Sequence, residues 1–105
     1  MKKILLGTFL FSLLTASLYA KNIVIDQKNN KFSQVEIQVK VGDTITFTNS
    51  DPFAHNAYTD EENNEFDLGS QKPNESKVVH VLGKGKFLVE CVIHPDMALN
   101  VVVVE

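Results

Sequence analysis

Between residues 35 and 48 the chain alternates apolar and polar side chains almost without interruption. Val35, Ile37 and Val39 alternate with Glu36, Gln38 and Lys40, the period of a strand with one buried face. Gly42-Asp43 punctuates this run, and Thr44 to Thr48 resumes it with Ile45 and Phe47 inward. A β-branched run, Lys21 to Asp26, precedes these two strands, and the polar stretch Gln27 to Lys31 reads as a turn. Further on, Ser76 to Leu82, Lys86 to Cys91 and Ala98 to Glu105 read as strands, with Phe87, Val89 and Cys91 on one face. Asn49-Ser50-Asp51-Pro52 breaks the pattern, and Pro52 excludes a central strand there. A new strand opens near His55-Asn56-Ala57-Tyr58. No helical period appears after residue 20. About seven to eight short strands with regular turn signals predict an all-β fold, a Greek-key β-sandwich or barrel.

The acidic run Asp60 to Glu65 falls between strands and reads as a solvated loop, with Phe66 and Leu68 folding it back onto the core. A calcium loop would need a Gly and a terminal Glu that this spacing lacks. His80 stands within a strand among Val78, Val79 and Val81, where it is expected to face solvent.

The first twenty residues have a different layout. A basic head, Met1-Lys2-Lys3, precedes a mostly apolar run from Ile4 to Leu14, and Ser17 to Ala20 offers a cleavage point. This is the plan of a bacterial secretory signal, expected to be removed after Ala20. The apolar run is shorter than the about 20 residues a membrane span needs, so no stable membrane insertion is expected after processing. Residues 21–105 then form one domain, large enough for a single core. Loss of Lys2 and Lys3, two positive charges, moves the formal net charge from −3 to −5. An acidic chain without arginine is a poor ligand for nucleic acid.

Candidate chemistry is concentrated in Cys91-Val92-Ile93-His94-Pro95-Asp96-Met97. Cys91 is the chain's only cysteine, and apart from Met1, Met97 is its only methionine. A lone cysteine in an exported protein is an exposed thiol, a link to another chain, or a ligand. One strand pattern ends at Cys91 and another begins after Met97, so the window is a loop. A loop can turn thiol, imidazole and thioether toward one point, whereas a strand sends alternate residues to opposite faces. These soft donors suit copper better than a hard cation. Upstream, His55 offers a second imidazole on a loop. Taken singly, Cys91 reads as a buried apolar thiol, Met97 as core filler and His55 as a surface residue. Taken together, His55, Cys91, His94 and Met97 form a two-histidine, one-cysteine set with a weak axial methionine, which marks an electron-transfer copper centre. Pro95, with its fixed φ and no N–H, would stiffen the loop between His94 and Met97.

At these residues the chain resembles the blue copper proteins, the cupredoxins, and among them the amicyanin and plastocyanin branch. The resemblance covers the mature domain. It rests on Val41 to Asn49, on His55-Asn56, and on the short Cys-x2-His-x2-Met loop with Pro95 after its histidine. It implies a β-sandwich holding one copper at its loop end. It implies a small one-electron shuttle, and it gives Asn56 the role of pointing a backbone N–H at the copper-bound sulfur. Two positions depart from the pattern. Val92 stands where the family often has a hydroxyl residue, and Asp96 lies beside the second histidine, where electron-transfer members tend to be apolar.

The expectation is therefore a monomeric periplasmic electron carrier that is not an enzyme. Its partner would be another redox protein: a cytochrome, a dehydrogenase or a reductase. The alternative is a periplasmic copper-handling or sensing module without fast electron transfer. An enzymatic pairing of Cys91 with His94 as nucleophile and base would lack a third orienting group and oxyanion donors.

Overall fold

Nine strands form among residues 19–105, the part of the chain that the computed structural model describes, and they lie in two sheets. In chain order they are β1 (Asn22–Lys28), β2 (Lys31–Phe32), β3 (Glu36–Lys40), β4 (Thr44–Asn49), β5 (Ala57–Thr59), β6 (Phe66–Asp67), β7 (Ser76–His80), β8 (Gly85–Cys91) and β9 (Ala98–Val104). The expected leader lies outside the described residues except for Tyr19 and Ala20, which are exposed. No helix among the described residues is long and apolar enough to cross a membrane.

One sheet runs β2-β1-β4-β7 and the other β3-β9-β8-β5-β6. The chain leaves the first sheet after β2, enters the second at β3 and returns at β4. This crossover makes β1 and β4 parallel, in register from Asn22 opposite Thr44 to Gln27 opposite Asn49. β3 and β9 are the other parallel pair, while β8 lies antiparallel to both β9 and β5. The fold is the all-β sandwich expected from the alternation. It has nine strands rather than seven or eight because β2 and β6, of two residues each, are too short to leave a periodic signal.

The boundaries differ from expectation in several places. β3 begins at Glu36 and leaves Val35, expected to face inward, 77% exposed, and β8 takes in Gly85. Two further differences have a clear physical cause. Gln27 to Lys31 is not one long turn: β1 continues through Lys28, and the reversal is confined to Asn29 and Asn30, at φ 56° and 58°. Two consecutive left-handed residues make a tight hairpin turn whose twist matches its strands, and asparagine tolerates that conformation. The strand begun at Ser76 stops at His80, two residues early, because Val81 turns its backbone to Gly42 and Asp43 of the β3–β4 turn.

Alternate residues of both sheets meet in one core that includes Ile25, Phe47, Phe87, Val89, Leu99 and Val101. Each such side chain contributes about 1.5–3 kcal/mol by leaving water. Phe66 and Leu68 pack against this core from the acidic loop, as expected, and His80 is exposed. Toward one end of the first sheet the buried row turns polar. Gln27 on β1 and Asn49 on β4 take inward positions that an apolar residue would otherwise fill. The loops that carry the candidate chemistry gather at this end.

Candidate metal centre

His55 is held by a loop that buried amides organise. Asn49, the last residue of β4, donates from Nδ2 to the carbonyls of Phe53 at 2.9 Å and Gln71 at 3.0 Å, and its Oδ1 accepts the N–H of Asp51 at 2.9 Å. Gln71 is fully buried and donates from Nε2 to the carbonyls of Phe47 and Glu75. Its backbone pairs with His55 in both directions, at 3.1 and 2.7 Å. These bonds fix the loop 50–55 at a point where Pro52 prevents it from continuing as strand.

The ladder between β5 and β8 brings this loop to the cysteine. Ala57 pairs with Cys91, and the N–H of Val92 reaches the carbonyl of Asn56 at 3.0 Å. The backbone N–H of Asn56 consequently points at Cys91 Sγ, 3.3 Å away across 35 positions of sequence. This N–H fixes the sulfur's position and occupies one of its acceptor directions. The side chain of Asn56 donates to Asp67 Oδ1 at 2.7 Å. That bond and the one from the Gly69 N–H, opposed by burial, hold the Asp67 carboxyl below the usual carboxylate range.

The window that follows Cys91 turns back on itself. The N–H of Met97 donates to the carbonyl of His94 at 3.0 Å, closing a four-residue turn with Pro95 second. That position suits the fixed φ of proline. His94 is thereby swung over the buried thiol. His55 Nδ1 lies 3.7 Å from Cys91 Sγ, and the donor atoms of His55, Cys91 and His94 all fall within 4.8 Å of one another. The two imidazole centroids are 5.0 Å apart, and the ring of Phe53 sits 5.4 Å from one and 5.5 Å from the other. Met97 is buried, at 2% exposure, in the same core cluster as Cys91.

The residues fit a metal on their own terms. His94 Nδ1 is buried and has no hydrogen-bond partner among the described residues. Such an atom costs about 1–3 kcal/mol unless something satisfies it. Its neighbours are a buried thiol and a second imidazole nitrogen, a donor set that favours copper over hard cations.

Residues 19–104 match the plastocyanin/azurin family of copper-binding proteins. The chain belongs to this family. It is 31% identical to the methylamine utilization protein MauL of Methylorubrum extorquens over 78% of this chain and 77% of that protein. Its identity to MauL of Methylophilus methylotrophus is 32%, over 71% of this chain and 45% of the relative's length, less than half. Amicyanin, solved in a reduced Cu(I) form, is 29% identical with a TM-score of 0.71, covering 85% of this chain and 88% of its own. The copper-containing nitrite reductase of Thermus scotoductus shares the fold, with a TM-score of 0.74 at 23% identity over 22% of its length. Copper is accordingly the cofactor of this protein.

For a copper protein of this family, the structure adds residues that the sequence pattern did not single out. Asp51 is buried, and its Oδ2 lies 2.7 Å from His55 Nε2. Burial raises its carboxyl pKa, but hydrogen bonds from His55, Asn29 and Asn30 outweigh this and hold it below the usual carboxylate range. In sequence Asp51 is turn chemistry beside Pro52, and only burial separates a loop aspartate from a buried partner of His55. Phe53 gave no periodic signal either. Asn49 and Gln71 carry the frame, and the inward phase of β4 would have exposed Asn49 as a buried polar residue.

Proposed function

We propose that this chain is a periplasmic type 1 copper protein that carries single electrons, with its copper held by His55, Cys91, His94 and Met97. The observation that carries the reading is the convergence of two imidazoles and one thiol within 4.8 Å around a buried, unpartnered His94 Nδ1. Bound copper supplies a couple between Cu(II) and Cu(I) that takes up and gives back one electron. The chain's part is preorganisation. Cys91 is anchored by the β5–β8 ladder, His55 by its bonds to Gln71 and Asp51, and His94 by the turn that ends at Met97. Ligands held so firmly move little between oxidation states, and little reorganisation then opposes electron transfer. Met97 tunes the potential more than it holds the metal. Asn56 holds the sulfur in place through its N–H, and Pro95 stiffens the turn.

The surface around His94 supports the carrier reading. Phe53, whose ring packs on the His94 ring, is 41% exposed, and Val92 and Ile93 are 57% and 51% exposed. An apolar rim beside a ligand suits brief docking with another redox protein: a cytochrome, a dehydrogenase or a reductase. A periplasmic location is supported by the basic head and apolar run of residues 1–20. The reading describes a carrier, not an enzyme, and a monomer. A copper-handling module is the second reading, favoured by the exposed Asp96 next to His94.

The two readings separate in one pair of experiments. A carrier shows fast electron self-exchange, seen as concentration-dependent line broadening in NMR of mixed Cu(I) and Cu(II) protein, and retains copper against a chelator. Slow exchange with ready loss of copper to the chelator would favour the handling module.

A further inference from the structure

His55 is gripped at both nitrogens of its ring. Nδ1 faces Cys91 Sγ at 3.7 Å, and Nε2 lies 2.7 Å from Asp51 Oδ2. The Asp51 carboxylate has other partners: the N–H of Asn29 donates to Oδ1 at 2.7 Å, and that of Asn30 to Oδ2 at 3.1 Å. A backbone N–H can only donate, so both oxygens of Asp51 are engaged as acceptors. The group that meets Oδ2 from His55 is then an N–H, which places the ring proton on Nε2 and leaves the lone pair of a neutral ring on Nδ1, toward the thiol. The main chain of Asp51 is anchored as well, because its own N–H donates to Asn49 Oδ1. The left-handed turn at Asn29 and Asn30, far from the ligands in sequence, thereby fixes one ligand's orientation.

A carboxylate behind a ligating imidazole does more than orient it. It raises the basicity of the ring, and in a buried setting its charge favours the more positive metal state. We propose that Asp51 is the positioning residue of the copper centre: it selects the Nδ1-ligating tautomer of His55 and biases the centre toward Cu(II). This rests on the reading that His55 ligates copper through Nδ1. The competing role is purely structural, with Asp51 serving only to tie down the β1–β2 turn.

The test uses the processed chain and its Asp51→Asn variant, each with and without copper. The variant should keep its colour while its Cu(II) affinity falls about tenfold relative to Cu(I), which is a rise in potential of about 59 mV for one electron. An unchanged potential together with a lower melting temperature would assign Asp51 to the turn alone and overturn the proposal. If the variant does not fold, nitrogen-15 NMR of the metal-free natural chain, at a pH where the ring is neutral, decides instead: His55 should carry its single proton on Nε2, and a single proton on Nδ1 would overturn the proposal. A natural chain that stays colourless with copper sinks the ligand reading itself, while the NMR result still judges whether Asp51 sets the tautomer.

Discussion

His94 Nδ1 and Cys91 Sγ would be poor choices for a core without a metal. One is a buried nitrogen with no partner, and the other is a buried sulfur that receives a backbone N–H from Asn56. On the proposed ligation copper would satisfy both, and the substitution series follows from their separate tasks. Cys91→Ser replaces a soft thiolate by a hydroxyl, and should lose the visible colour and at least about 100-fold in copper affinity. Titration against a competing chelator measures that loss. On the same proposal Met97→Leu would remove only a weak thioether donor, one that would contribute more to Cu(II) than to Cu(I). It should keep the colour and raise the potential, read by spectroelectrochemical titration; bleaching would show that Met97 does more than tune. At this scale the sequence was informative about the donors and silent about their supports. Soft donors at i, i+3 and i+6 are visible in a string of letters. Asp51 and Phe53 are not, because a loop residue shows its importance only through what the fold places beside it.

At the scale of elements, the centre depends on where strands stop. β8 ends at Cys91, β4 ends at Asn49, and β1 turns at Asn29-Asn30. The alternation made the strands legible, since Phe87, Val89 and Cys91 do share the buried face of β8. The ends were less legible. Gln27 looked like turn material because it is polar, yet it is fully buried and donates to Gln71 Oε1 at 2.8 Å. A buried amide network mimics a loop in sequence, and that concealed the last part of β1. The turn itself is testable. A β-branched residue in the left-handed region costs about 1–2 kcal/mol, so Asn30→Val should lower stability by that amount. Urea unfolding of the metal-free protein measures it, and an unchanged midpoint would mean that the turn is not held in this conformation.

Two loops fixed at one end of a two-sheet sandwich make the whole molecule a rigid holder, and its stability should respond to acid at a distance from the copper. Asp43 is buried in the β3–β4 turn, and its carboxylate accepts the N–H groups of Lys21 at 2.9 Å and Lys40 at 2.8 Å. These bonds hold its pKa below the ordinary value of 3.8, against the opposing effect of burial. A carboxyl depressed in the folded state stabilises the fold above its unfolded value. That contribution is lost as pH falls from about 4 through the lower folded value. Asp43→Asn should therefore be less stable than the natural protein at pH 7, with the difference shrinking below pH 4. Thermal melts of the two metal-free proteins across that range measure the convergence, and a constant gap would contradict it.

The most direct single measurement is the joint visible and EPR spectrum of the protein loaded with one equivalent of Cu(II). A centre built from His55, Cys91, His94 and Met97 predicts an intense blue thiolate band with a small copper hyperfine splitting. A pale solution with the wide splitting of tetragonal copper would mean that Cys91 does not bind the metal, and the account of an electron carrier would fail with it.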